Sequence, residues 1–248
     1  MKCIILAAGY ATRLYPLTEN FPKPLLKVGS KTILDYLIDD LCVSGLIDEF
    51  IIVSNDRYYG NFCAYSAEKQ KNSKINISVI NDGTKTNETR LGAVKDILLA
   101  AEKTDFKYDA LVIAGDNLLD FSLNEFLFYA EKKNATSVMR YYESDKKRLM
   151  KSGVLEIGKD DRVLKMWEKP SEPVSEWCCP PFYFYKKEDL KKIPDAIRSG
   201  CGTDAPGSLI SFMCLNSTVY AMEMPGKRYD IGDIESYEKV KKEYKNKC

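Results

Sequence analysis

Short apolar runs alternate along the chain with stretches in which apolar residues recur every three or four positions. Residues 3–8, CIILAA, read as a first strand. In residues 32–44, Ile33, Leu34, Leu37, Ile38 and Leu41 fall on one helical face, and Gly45 stands where such a helix would stop. Further strands are expected at 50–54, 75–80 and 110–114, with helices near 62–71 and 91–103 between them. Strand and helix in regular succession predict an α/β fold with a largely parallel, doubly wound sheet. After about residue 119 the rhythm changes. Residues 136–142, the hairpin-like VLEIGKDDRVLKMWEK, then PFYFYK and VYAMEM predict a mixed sheet with some antiparallel pairing. No linker, repeat or low-complexity tract separates the two patterns, so the second half is expected to extend the sheet of the first.

Composition narrows the chemistry. With 248 residues and 45% hydrophobic content the chain can bury a large core, and disorder is not expected. Lys and Arg number 37 against 36 Asp and Glu, so nothing global points to nucleic acid or an anionic membrane. No apolar run approaches the roughly 20 residues that span a bilayer, and MKCIILAAG lacks a signal-peptide pattern, so a cytoplasmic protein is expected. Cys3, Cys42, Cys63, Cys178, Cys179, Cys201, Cys214 and Cys248 lack zinc-site spacing and are expected to be free thiols. Histidine is absent, which excludes histidine triads, histidine metal ligands and imidazole bases. Carboxylates, lysine, arginine, backbone amides or a metal must do the work.

The stretch LAAGYATRLYPLT, residues 6–18, places a small-residue loop at the carboxyl end of the first strand. Ligands of open α/β sheets bind there, where backbone amides can face an anion. The loop fits neither the GxxxxGK[ST] nor the GxGxxG phosphate pattern. Extended to LAAGYATRLYPLTENFPKPLL, it resembles the N-terminal signature of the sugar-phosphate nucleotidyltransferases, the pyrophosphorylases that make nucleotide sugars. VIAGDN, MWEKP and YDIGDIESYEKV follow in the family's order. The resemblance, similar to the glucose-1-phosphate thymidylyltransferases, implies one Rossmann-like, three-layer α/β/α domain over residues 1–248. Its central sheet would be mostly parallel but mixed, with a small antiparallel extension. The nucleotide would be held by about residues 1–119 and the acceptor by about 120–248. One departure is Ala11, where the family usually has glycine; alanine tolerates fewer backbone angles.

The resemblance also implies roles. Leu6, Ala7, Ala8, Gly9, Ala11 and Thr12, with Gly115, would surround the nucleotide, the loop amides holding its triphosphate. Arg13 would sit on the leaving pyrophosphate, where its fork suits phosphate oxygens, and Lys23 would neutralise charge near the reacting centre. Asp116 and Asp230 would share a magnesium ion, a cation suited to hard oxygen ligands. Gly153, Glu168 and Lys169 would meet the acceptor, Glu168 its hydroxyls and Lys169 its phosphate. Asn81, Asn87 and Arg90, in NDGTKTNETRLGAV, are candidates for reading the base; that loop could equally cap the helix that follows. The run Cys178, Cys179, Pro180, Pro181 departs from the family pattern before the Tyr-x-Phe strand, and its cysteines are expected to be buried neighbours in a loop.

The expected reaction is attack of an acceptor phosphate oxygen on the α-phosphorus of a nucleoside triphosphate, with loss of pyrophosphate. Such a nucleophile is already anionic and needs no general base, so the missing histidine is no obstacle. The substrates expected are dTTP, UTP or CTP and a sugar 1-phosphate, with thymidylyl transfer to glucose 1-phosphate the leading specific reading. A cytidylyltransferase acting on a small phosphorylated alcohol or phosphonate is the nearest alternative, motivated by the departure at 178–181. A non-catalytic nucleotide-sugar-binding homologue is the alternative of another class. Neither nucleic acid nor membrane is an expected partner, and the sequence leaves the oligomeric state, a homo-oligomer included, open.

Overall fold

In the computed structural model the described residues are 1–244. Contacts between residues group them into two units that the chain visits by turns: one holds residues 2–90, 114–124 and 226 onward, the other 91–113 and 125–225. Cys248 lies outside the described residues; the other seven cysteines are free thiols.

The first unit begins with β1 (Lys2–Leu6), a short hairpin of β2 (Lys27–Val28) and β3 (Lys31–Thr32), then α1 (Ile33–Cys42), β4 (Glu49–Ser54), α2 (Tyr59–Asn72) and β5 (Ile77–Asn81). β4 pairs in parallel with both β1 and β5. Cys3 to Ile5 and Phe50 to Val53 are buried without alternation, as strands covered on both faces must be. Helix α1 starts where Thr32 and Asp35 close a reciprocal capping box, and it buries Ile33, Leu34, Leu37, Ile38 and Leu41. Its predicted stop, Gly45, has φ 66°. Strand β5 starts two residues later than the pattern predicts, its ladder opening with Phe50 N donating to Asn76 O at 2.9 Å.

The second unit opens with α3 (Ala93–Lys103) and β6 (Ala110–Ala114). The first two amides of α3 are capped by the carbonyls of Asp204 and Thr203, and Gly92, at φ 89°, admits that close backbone approach. The chain then returns to the first unit for β7 (Asn117–Leu119). From α4 (Asn124–Lys133) onward it supplies β8 (Thr136–Tyr142), α5 (Lys146–Leu149), β9 (Gly153–Ile157) and β10 (Val163–Glu168). β11 (Trp177–Cys179), β12 (Phe182–Tyr185), α6 (Lys187–Leu190), α7 (Ile193–Arg198), α8 (Gly207–Asn216) and β13 (Val219–Glu223) complete that unit. β8 is its hub, antiparallel to β11 and β12 and parallel to β13. β9 and β10 form the hairpin read from the sequence, turning through Asp160 and Asp161 at φ 57° and 65°. Cys178 and Cys179 are buried, but in strand β11 rather than in a loop. Burial raises the Cys179 thiol well above its usual range, which keeps it protonated and unreactive.

The chain ends its described course in the first unit with β14 (Arg228–Asp230), antiparallel to β7, and α9 (Ile234–Tyr244). No helix among the described residues is long and apolar enough to cross a membrane.

Candidate active site

The loop that follows β1 is tied to the sheet by Ala7 N donating to Val53 O at 2.9 Å. Beyond it the backbone bends sharply. Ala11 adopts the left-handed conformation, φ 46° and ψ 43°, which glycine would take without strain. The alanine therefore keeps the bend that a glycine would make. Gly9 is exposed, and a Cβ there would meet nothing within 4 Å, so no protein atom claims the space beside it.

That space belongs to an open cleft bordered by Leu6, Ala7, Gly9, Ala11, Arg13, Lys23 and Asp116. Ala8 is buried beneath the loop, and Thr12 faces a neighbouring cleft. Gly115 does not border the pocket. It is a packing glycine: a Cβ would stand 3.0 Å from Ile5 Cγ2 and 3.4 Å from Pro24 Cγ, and its N–H donates to Leu6 O at 3.1 Å. This close contact presents the next residue, Asp116, at the cleft.

Charge at the cleft floor is organised in a chain. Lys23, 7% exposed, donates from Nζ to Asp116 Oδ2 at 2.6 Å. Asn117 Nδ2 donates to Asp116 Oδ1 at 2.9 Å, and Arg228 Nη1 donates to Asn117 Oδ1 at 2.8 Å. Arg228 Nη1 also stands 3.7 Å from Asp230 Oδ2. Asp230 lies directly opposite Asn117 in the β7–β14 pair, one residue along from Asp116. It is well exposed, and its own side chain does not border the cleft; Gly232 does. Among the described residues no group of 3 or more acidic or cysteine side chains could hold an ion alone. Two carboxylates offered from adjacent positions are hard oxygen donors, a set that fits magnesium, which retains several waters.

Packing explains how segments so distant in sequence meet. Tyr237, Val240 and Tyr244 of α9 share one buried cluster with Leu14, Leu26, Leu118 and Ile231. Each of the latter sits within three residues of Arg13, Lys23, Asp116 or Asp230. Arg13 itself is exposed, and it helps hold the Asp233 carboxyl below its usual range, after the backbone and hydroxyl of Ser236.

The three candidate base readers behave differently from one another. Asn81 is committed to local structure, its Nδ2 donating to Asp56 Oδ1 at 2.8 Å and its Oδ1 accepting from Gly83 N at 2.8 Å. Asn87 borders the neighbouring cleft together with Tyr10, Thr12, Tyr15 and Arg57. Arg90 Nη1 donates back to Asn87 O at 3.1 Å, which steadies the turn.

In the second unit, Gly153 of β9 pairs with Glu168 of β10 on one side and with Cys179 of β11 on the other. A Cβ at Gly153 or Gly207 would collide with Met166 Cε, and one at Gly207 would also collide with Glu168 Oε2. Burial raises the Glu168 carboxyl above its usual range; Lys169 pulls it down and Asp204 adds to the rise. Lys169 is exposed and turns through φ 49°, its N–H donating to Ser152 O at 3.0 Å. Asn117, Arg228 and Gly207 carry no motif signal; each matters only through the partner that folding brings to it.

The chain is similar to several known proteins. The chain is 33% identical over 180 residues to a Bifunctional protein GlmU of Methanococcus vannielii, covering 69% of this chain and 36% of that protein. It is 31% identical over 245 residues to a Putative mannose-1-phosphate guanyltransferase of Sulfolobus acidocaldarius, covering 97% of this chain and 62% of the relative. The chain thus spans only part of the length of these relatives. A UDP-glucose pyrophosphorylase solved with UDP-glucose superposes with a TM-score of 0.83 at 20% identity, over 100% of this chain and 99% of that one. A Putative Glucose-1-Phosphate Thymidylyltransferase from Bacillus anthracis gives 0.79 at 21%, over 98% and 94%. These two likenesses establish the shared Rossmann-like α/β fold. The sequence model described as Nucleotidyl transferase matches residues 2–247, and the chain belongs to that family.

Proposed function

We propose that the protein transfers a nucleoside monophosphate from a nucleoside triphosphate to a sugar 1-phosphate and releases pyrophosphate. The observation that carries this reading is the cleft after β1, where Ala7, Gly9, Ala11, Arg13, Lys23 and Asp116 meet around unclaimed space. An oxygen of the acceptor phosphate attacks the α-phosphorus; the bond from that phosphorus to the bridging oxygen breaks, and its electron pair leaves with pyrophosphate. Catalysis of this kind is positioning and charge neutralisation, for which no imidazole is required. The loop amides hold the triphosphate, Arg13 the departing pyrophosphate, and Lys23 the charge at the α-phosphate. Asp116 and Asp230 are the residues that would hold a magnesium ion, which when bound offsets repulsion between the two anionic substrates. On the family resemblance, Glu168 takes the acceptor hydroxyls, Lys169 its phosphate, and Gly153 lets the sugar lie close to backbone.

The test is pyrophosphate release with dTTP, UTP, CTP and GTP, each against hexose 1-phosphates, a phosphorylated small alcohol and a phosphonate. Release with a hexose 1-phosphate is the expected result. Release only with CTP and a non-sugar acceptor would replace the acceptor class, and nucleotide-sugar binding without release under any pairing would refute an enzymatic role.

A further inference from the structure

The loop that follows β1 is held from behind by three side chains that bear no phosphate-binding signature. Thr18, Asn55 and Tyr58 each show 0% exposure. Asn55 Nδ2 donates to Ala8 O at 2.9 Å, while Asn55 Oδ1 accepts from Tyr58 N at 3.0 Å, so both ends of the amide are committed. Thr18 Oγ1 donates to Ala11 O at 2.8 Å, and Tyr58 OH donates to Thr18 O at 2.6 Å, which fixes Thr18 in turn. Burial pushes the Tyr58 phenol up to about 12, so it keeps its donor proton at neutral pH.

These bonds have a directional consequence. A trans peptide plane carries its C=O and its N–H on opposite sides. Anchoring Ala8 O therefore aims the N–H of Gly9 away from Asn55, and anchoring Ala11 O aims the N–H of Thr12 away from Thr18. None of the amides from Ala8 to Arg13 donates a hydrogen bond within the described protein. Consecutive unpaired donors of this kind form an anion-binding concavity once their planes are fixed.

We infer that Asn55, Thr18 and Tyr58 are positioning residues that preset the peptide planes of the triphosphate loop, with carbonyls turned to the protein and amides to the ligand. The inference rests on the triphosphate reading above. Preset donors need no reorganisation when an anion arrives, which is the source of their strength. A flipped Ala8–Gly9 or Ala11–Thr12 plane would instead present a carbonyl oxygen to a polyanion.

The experiment uses the full chain and measures binding of inorganic pyrophosphate and of the preferred triphosphate, the Michaelis constants of both substrates, and thermal melting. Thr18→Val and Asn55→Asp keep side-chain volume and remove the donor to the loop; Thr18→Ser keeps it, and Tyr58→Phe removes the support behind Thr18. Thr18→Val and Asn55→Asp should weaken pyrophosphate and triphosphate binding about tenfold, the scale of one well-placed hydrogen bond. The acceptor's Michaelis constant should change less than about twofold, Thr18→Ser should bind like wild type, and Tyr58→Phe should fall between. Folded Thr18→Val and Asn55→Asp proteins with wild-type affinity would overturn the inference, as would a Thr18→Ser protein no better than Thr18→Val. A wild-type protein that binds neither pyrophosphate nor any triphosphate would overturn the triphosphate reading itself.

Discussion

Lys23 and Asp116, 93 positions apart in sequence, form an ion pair with Nζ 2.6 Å from Oδ2. The two partners are unequally buried, the lysine side chain 8% exposed and the aspartate 37%. Asp116→Asn strands an ammonium that water scarcely reaches, whereas Lys23→Met leaves a carboxylate that water can solvate. Asp116→Asn should lower stability by about 2–4 kcal/mol and Lys23→Met by about 1 kcal/mol or less. Urea unfolding of both variants reads this asymmetry, and equal losses would show that the lysine is solvated after all.

Ala11 offers a second test, because its left-handed backbone strains an alanine by about 1–2 kcal/mol. Ala11→Gly relieves that strain but enlarges the freedom of the unfolded chain, so stability should stay within about 1 kcal/mol of wild type and turnover should be kept. Ala11→Val, branched at Cβ, should lose about 1–3 kcal/mol and weaken triphosphate binding. Denaturation and the triphosphate Michaelis constant measure both effects; a valine variant indistinguishable from wild type would mean that the loop bends elsewhere.

The proposed magnesium role predicts non-additive losses. Asp116→Asn and Asp230→Asn should each reduce turnover by about 100-fold or more, and the double variant should lose little beyond either single one, because the shared ion is already gone. Asp230 is well exposed, so its variant should melt like wild type. Turnover across a magnesium titration, with a chelator as the zero point, checks this. Fully multiplicative losses would argue against a shared ion.

Stability should depend on pH through Glu168. Burial holds its carboxyl above the usual range in the folded protein. A carboxyl with a raised folded pKa binds its proton more tightly when folded, so its contribution is present in acid and lost as pH rises through the folded value. Glu168→Gln has no proton to lose. The melting temperature of the variant relative to wild type should therefore climb as pH rises above the ordinary glutamate range. A flat difference would place the carboxylate in water.

Much of the architecture was legible in the residue pattern because its causes are local. The uninterrupted apolar runs of β1 and β4, the face of α1 with its Thr32 cap, and the hairpin of β9 and β10 follow from periodicity and capping within one segment. The boundaries that slipped have non-local causes. Helix α3 starts at Ala93 because the carbonyls of Thr203 and Asp204 cap it there, and β5 starts at Ile77, where pairing with Phe50 of β4 begins.

The same division holds for the site. The sequence by itself determined the family, the α/β class, and the loop, lysine and aspartates that carry the motif matches, since each is written in a short run of residues. It could not decide that Gly115 packs against Ile5 and Pro24 rather than facing the cleft, nor that Asn81 is spent on Asp56 and Gly83. Nor could it reveal that Asn55 and Thr18 hold the loop's carbonyls, that Arg228 links Asn117 to Asp230, or that Lys23 is buried against Asp116. Most of these are relations between groups far apart along the chain, and the energy of each depends on burial and hydrogen-bond direction. Only the tertiary structure fixes those two quantities, because the packing of α9 and the sheet decides which polar groups lose water and which partner each one then finds.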